Sequence, residues 1–127
     1  MTAAVASGNI ALPTLVASST PQLHSVDADP HALQVAREGM RQGVTEGIAT
    51  AVNLPFVAVA AKTGTAQVGV RNEYQNAWMI GFWPYDNPHW AYAVVLERMP
   101  AGTQVGGSIV MNDFFNWLNT NAPEYLR

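Results

Sequence analysis

The chain of 127 residues has no cysteine, a single lysine and only 12% charged residues. Each shortage closes off a class of function. Without cysteine there is neither a disulfide framework nor a thiolate nucleophile. The three histidines, His24, His31 and His89, lack the close spacing of a metal-ligand set, so no zinc centre is expected. Six scattered cationic residues in a chain of net charge −3 make no nucleic-acid footprint. No apolar run approaches the ~18 residues of a membrane span. The opening MTAAVASGNIALPTLVASS is apolar, but no cation precedes Arg37, and Gly8, Asn9 and Pro13 break it. It therefore reads as folded structure and not as a signal peptide.

What the chain does have is apolar surface. Hydrophobic residues make up 49% of it, while a soluble domain usually carries about 25% charged residues, twice the share found here. Small residues inflate that count, which allows a bland reading. A sharper one is that the chain is part of a larger domain whose remaining pieces cover its apolar faces, and composition leaves both open. The length suits one domain, which typically buries roughly 68% of the surface of its unfolded chain.

Residues 1–54 are expected to hold helices and a loop. MTAAVASGN reads as the end of a helix closed by Gly8 or Asn9 in a left-handed conformation, the chain entering mid-helix. Pro13, Pro21 and several hydroxyl residues make 10–28 a loop, with a short extended piece around Thr14 to Ala17. Asp29 and Pro30 supply a cap and a first-turn proline for a helix ending near Gly47. Leu33, Ala36, Met40 and Val44 recur at spacings of three, four and four, placing them on one face.

Residues 55–97 read as three strands: FVAVAAKTGTAQV (56–68), AWMIGFW (77–83) and WAYAVVLE (90–97). The turn PYDNP makes the last two an antiparallel hairpin. Neither strand alternates cleanly, which implies cover on both faces of the sheet. After the loop MPAGTQVGG a final helix is expected over 108–121. Its apolar face would be Val110, Met111, Phe114, Phe115 and Leu118, with Asn112, Asp113, Asn116 and Asn119 polar. The fold class is therefore α+β, three antiparallel strands with flanking helices.

Lys62, the only lysine, ends an apolar run and opens Lys-Thr-Gly-Thr. A phosphate loop is excluded because PFVAVAA, just ahead of the lysine, has no glycine. Two readings remain. Lys62 could simply protect an edge strand from pairing. Alternatively, it presents its ammonium to a cavity and holds an anionic group. Alternation puts Thr63 and Thr65 on one side of the strand, where two hydroxyls could share a carboxylate. Gly64 would let a ligand lie against the backbone, and the Thr65 amide would serve as one oxyanion donor.

Lys-Thr-Gly is the third motif of the serine β-lactamases and penicillin-binding proteins. AAKTGTAQVG resembles the third strand of a class B penicillin-binding protein transpeptidase domain, and NAWMIGFWPYDNPHWAYAVVLE resembles its next hairpin. The segment MTAAVASGNIALPTLV and the helix LQVAREGMRQGVTEGIATA are similar to elements that precede them. The elongation-type penicillin-binding protein 2 group is the most similar. Ala61, where glycine is common, and Asn76, where histidine is frequent, depart from the pattern in minor ways.

A larger departure concerns the nucleophile. The family uses Ser-x-x-Lys, and with Lys62 as the sole lysine that serine would fall at position 59, which is Val59. Ser7-Gly8-Asn9 matches the second motif, Ser-x-Asn, only formally, since it lies in a segment resembling another part of the family. The resemblance thus implies the C-terminal portion of the β-lactamase/transpeptidase-like fold, without the catalytic serine. It further implies peptidoglycan stem peptides ending in D-Ala-D-Ala as substrate, β-lactams as inhibitors, no cofactor, and a place at the extracytoplasmic face of the bacterial membrane. The missing N-terminal part of the domain would be its partner, with Lys62, Thr63, Gly64 and Thr65 holding substrate. Two other readings stay open: a noncatalytic peptidoglycan- or partner-binding module, and a fragment of a serine β-lactamase or D,D-carboxypeptidase. An open strand edge would favour self-association.

Overall fold

The computed structural model describes residues 1–12, 15, 16, 20 and 22–127. Helix α1 (Thr2–Ser7) ends where Gly8 takes φ 71° and its amide returns to the Ala4 carbonyl, the closure expected of that glycine. Strands β1 (Asn9–Ala11) and β2 (Leu23–Ser25) then pair antiparallel in a small two-stranded sheet. The extended piece expected around Thr14 to Ala17 has both its ends, Thr14 and Ala17, outside the described residues.

Helix α2 (Pro30–Thr45) starts where expected, with the Asp29 carboxylate accepting from the His31 amide at 2.9 Å. It stops two residues short of Gly47, whose amide bonds back to the Gln42 carbonyl. The inward face differs from expectation at one position. Ala36 is exposed, and Arg37 faces inward beside Leu33, Met40 and Val44. Its guanidinium lies 5.3 Å from the Phe82 ring centroid and 5.5 Å from that of Tyr85, and donates to the carbonyls of Ala6 and Tyr85. A flat cation with five donors joins α1, α2 and the sheet in a way a methyl cannot.

The main sheet has three strands in the order β3 (Ala60–Val68), β4 (Tyr74–Trp83), β5 (Trp90–Pro100), all antiparallel. β3 begins four residues later than its apolar run suggests. Leu54 and Val57 bridge across a turn at Pro55 and Phe56, and the carbonyls of Ala58 and Val59 are taken by the Tyr85 amide and by Arg41. Those groups are satisfied outside the ladder, so the run turns before it extends. β4 and β5 outrun their expected ends, and their ladder shifts register between Gln75 and Ala77.

Helix α3 (Gly107–Asn121) lies over β4 and β5. It buries Gly107, Met111, Phe115 and Leu118 as one line. Val110 and Phe114, expected on that face, are 39% and 41% exposed because they sit one step round the helix. The core joins Phe115 and Met79 to Val44, Val52, Val57 and Val59. Each such fully buried side chain contributes about 1.5–3 kcal/mol. On the opposite face, Ala6 of α1 and Met40 of α2 pack on Ala60 and Phe82, giving that face of the sheet partial cover.

Candidate active site

β3 is an edge strand, so a row of its backbone groups faces away from β4. Its register fixes where the side chains go. Thr63 is opposite Met79 and Thr65 opposite Ala77, on the face covered by α3. Lys62 and Gly64 stand opposite Ile80 and Trp78, on the other face. The two hydroxyls thus share a side, as alternation requires, and the ammonium starts from the reverse side. Lys62 is exposed, and its Nζ donates to the Thr63 carbonyl at 2.6 Å. Gly64 leaves open backbone: a Cβ built there would meet only the Trp78 Cβ, at 3.9 Å.

All four residues border one cavity of about 590 Å³ along the β3 edge. The segment 102–108 forms its far wall, and Gln75, Ala77, Trp78 and Ile48 complete it. That wall is held from both ends. On one side the Gln75 amide donates to the Thr103 carbonyl at 2.8 Å and accepts from the Gly102 amide at 3.1 Å. On the other side Gly107 approaches β4 so closely that a Cβ there would come within 2.6 Å of the Met79 Cβ. Only hydrogen fits at that contact, so α3 can start directly against the sheet and carry the loop over the cavity.

Gln75, Gly107 and the loop 102–106 were not singled out in the sequence. The glycines of MPAGTQVGG marked the loop, but nothing local says that it faces Lys62. At the tip of the β3–β4 hairpin Glu73 is held below its usual range, first by hydrogen bonding to its own amide and then to the Arg71 amide, which donates to Oε2 at 2.8 Å. This tightens the turn in which Gly69 takes φ 94°.

The formal Ser-Gly-Asn match is employed elsewhere. Ser7 Oγ donates to the Ala3 carbonyl at 2.9 Å and accepts from the Asn9 amide at 3.2 Å, closing α1. Neither Ser7 nor Asn9 borders the Lys62 cavity. Val59, three residues before Lys62, is fully buried in the core. The β3 side of the cavity therefore offers one cation, two threonine hydroxyls and edge amides, a set suited to a carboxylate and a polarised carbonyl. Among the described residues no group of three His, Cys, Asp or Glu could hold a metal ion, and no helix is long and apolar enough to cross a membrane.

Comparison with known proteins agrees with this architecture. Penicillin-binding protein 2 of Helicobacter pylori is 27% identical at a TM-score of 0.73, over 95% of this chain and 23% of that one. Penicillin-binding protein 2 of Pseudomonas aeruginosa is also 27% identical, at a TM-score of 0.67, over 96% of this chain and 30% of that one. Penicillin-binding protein 2B of Streptococcus pneumoniae shares the fold, with a TM-score of 0.74 at 21% identity, over 94% of this chain and 24% of that one. The chain thus spans roughly a quarter to a third of the length of these relatives. No curated protein matches it. Residues 1–116 match the model of the penicillin-binding protein transpeptidase domain, and the chain belongs to that family.

Proposed function

We propose that the chain is the C-terminal wall of a peptidoglycan D,D-transpeptidase site, of the elongation type to which penicillin-binding protein 2 belongs. The observation that carries this reading is the single cavity bordered by Lys62, Thr63, Gly64 and Thr65 on an edge strand. A stem peptide ending in D-Ala-D-Ala would lie along β3, its terminal carboxylate shared by Lys62, Thr63 and Thr65. The Thr65 amide would polarise the scissile carbonyl, a role worth about 2.7 to 4 kcal/mol of transition-state stabilisation.

A serine supplied by the N-terminal part of the domain would attack that carbonyl. An ester forms, the peptide bond breaks, the terminal D-Ala leaves with the serine proton, and the amine of a second stem peptide resolves the ester. β-Lactams acylate the same serine. The site works on the extracytoplasmic side of the membrane, where the substrate is. With no Ser-x-x-Lys in its sequence, the chain alone is inactive.

Labelling with a fluorescent penicillin tests this, run on the chain and on a longer protein that joins it to a Ser-x-x-Lys segment. The expected result is labelling of the long protein only. Labelling of the short chain would mean that one of its own serines is activated, and would overturn the reading.

A further inference from the structure

We propose that Gln75 is a positioning residue of the site: aimed by a bulge in β5, its carboxamide holds the turn that begins the far wall and keeps the cleft beside β3 ready for a ligand. The proposal rests on the transpeptidase reading of the cavity and adds to it a residue that acts through the wall.

The bulge comes first. Against β3 the strand β4 runs without interruption, with Gln75 opposite Gln67, Asn76 opposite Ala66 and Ala77 opposite Thr65. Against β5 it does not. Gln75 is opposite Met99 but Ala77 is opposite Leu96, so Glu97 and Arg98 together face Asn76. Two residues against one make a β-bulge, which bends its strand and increases the twist. Arg98 takes φ 51°, a left-handed backbone that a residue with a side chain keeps only when its surroundings hold it there. Its amide donates to the Asn76 Oδ1 at 2.8 Å, and its guanidinium lies 4.9 Å from the Tyr74 ring centroid. The side chains that hold the bulge are thus the two neighbours of Gln75.

What the bulge decides is register. A slip of one residue would turn Met99 and Pro100 over and move the following turn along β4. With the bulge in place, the turn Pro100 to Thr103, closed by the Thr103 amide on the Pro100 carbonyl at 3.1 Å, comes to rest beside Gln75. The Gly102 amide donates to Gln75 Oε1 at 3.1 Å, and Gln75 Nε2 donates to the Thr103 carbonyl at 2.8 Å. A carboxamide can meet an amide and a carbonyl at once, where an alkyl chain meets neither. By alternation Gln75 shares a side with Ala77, and both border the cavity, whereas Asn76 does not.

The wall matters because a peptide laid along β3 is enclosed between that strand and 102–108. If the turn is released, only a fraction of molecules keep the wall in place, and the apparent dissociation constant rises by the inverse of that fraction. The chemical step is spared, since every bound complex has its wall in place. Loss of Gln75 should therefore show in binding.

Saturation kinetics of a fluorescent penicillin on the longer, serine-bearing protein test this, together with amide exchange followed by mass spectrometry. In Gln75→Leu the half-saturating concentration should rise about 3- to 10-fold, the effect of two lost hydrogen bonds, with the limiting acylation rate within about twofold of native. Exchange in 101–106 should quicken. Asn76→Ala removes the acceptor for the Arg98 amide without bordering the cavity, and should give the same two changes. Lys62→Met is the reference for the catalytic reading. If it slows acylation while Gln75→Leu binds like native, the positioning role is overturned and the catalytic reading stands. If Lys62→Met also reacts like native, the catalytic reading fails and the proposal falls with it. Unchanged exchange in 101–106 overturns the positioning role, as does a lower limiting rate at unchanged half-saturation.

Discussion

Among the described residues the buried Tyr92 hydroxyl has no hydrogen-bond partner, and its ring lies between Trp83 and Phe115 at centroid distances of 5.7 and 6.2 Å. Burial pushes its pKa well above the ordinary 10.0, because the phenolate would be desolvated. A raised folded-state pKa adds stability that is fully present below the unfolded value and is lost as pH rises past it. Unfolding at alkaline pH therefore draws in part on this one group. Tyr92→Phe removes an unpaired polar atom at little cost in packing and should raise stability by about 1 kcal/mol at neutral pH. It should also flatten the decline above pH 10. Urea midpoints at pH 7 and above pH 10 check both effects, and a loss of stability at pH 7 would mean that the hydroxyl is paired after all.

Among the elements, the close start of α3 on β4 decides the shape of the cavity. Gly107→Ala forces a methyl into the 2.6 Å approach to Met79. It should cost about 1–3 kcal/mol and loosen 102–106, seen as faster amide exchange in that segment. Asp29→Ala, by contrast, removes only a cap and should cost about 1 kcal/mol with the loop unaffected. The contrast separates general destabilisation from movement of the cavity wall.

The same elements show what is legible in sequence. The α2 cap, the three strands and the final helix are written in local signals: a capping side chain, β-branched runs and helical spacing. The shared side of Thr63 and Thr65 follows from alternation, which also puts Lys62 on the reverse side. Arg37 was hidden because its apolar stem and planar head pack on Phe82 and Tyr85, distant residues that only the fold brings near. The exposure of Phe114 was hidden because helical spacing gives an apolar arc without saying how much of it a sheet covers. β1 and β2 are three residues each, too short for a period to register. Gln75 reached the site through a contact with Thr103 that no local pattern encodes.

Among the described residues the main sheet carries α3 on one face, and its outer strands are β3, beside the Lys62 cavity, and β5, beside the aromatic groove. The 12% charge and 49% hydrophobic composition fit that arrangement, since a chain spanning roughly a quarter to a third of its relatives presents surface that their remaining length can cover. The central claim concerns the β3 edge. Its most direct test is the acylation rate by a β-lactam in the longer, serine-bearing protein, comparing the native sequence with Lys62→Met and Thr65→Val. Both side chains border the cavity, and neither is buried in the core. Each substitution should slow acylation by about 10- to 100-fold, the loss of one hydrogen bond to a charged group, at unchanged folding stability. Rates equal to native in both variants would contradict the assignment of Lys-Thr-Gly-Thr as the wall that holds the substrate.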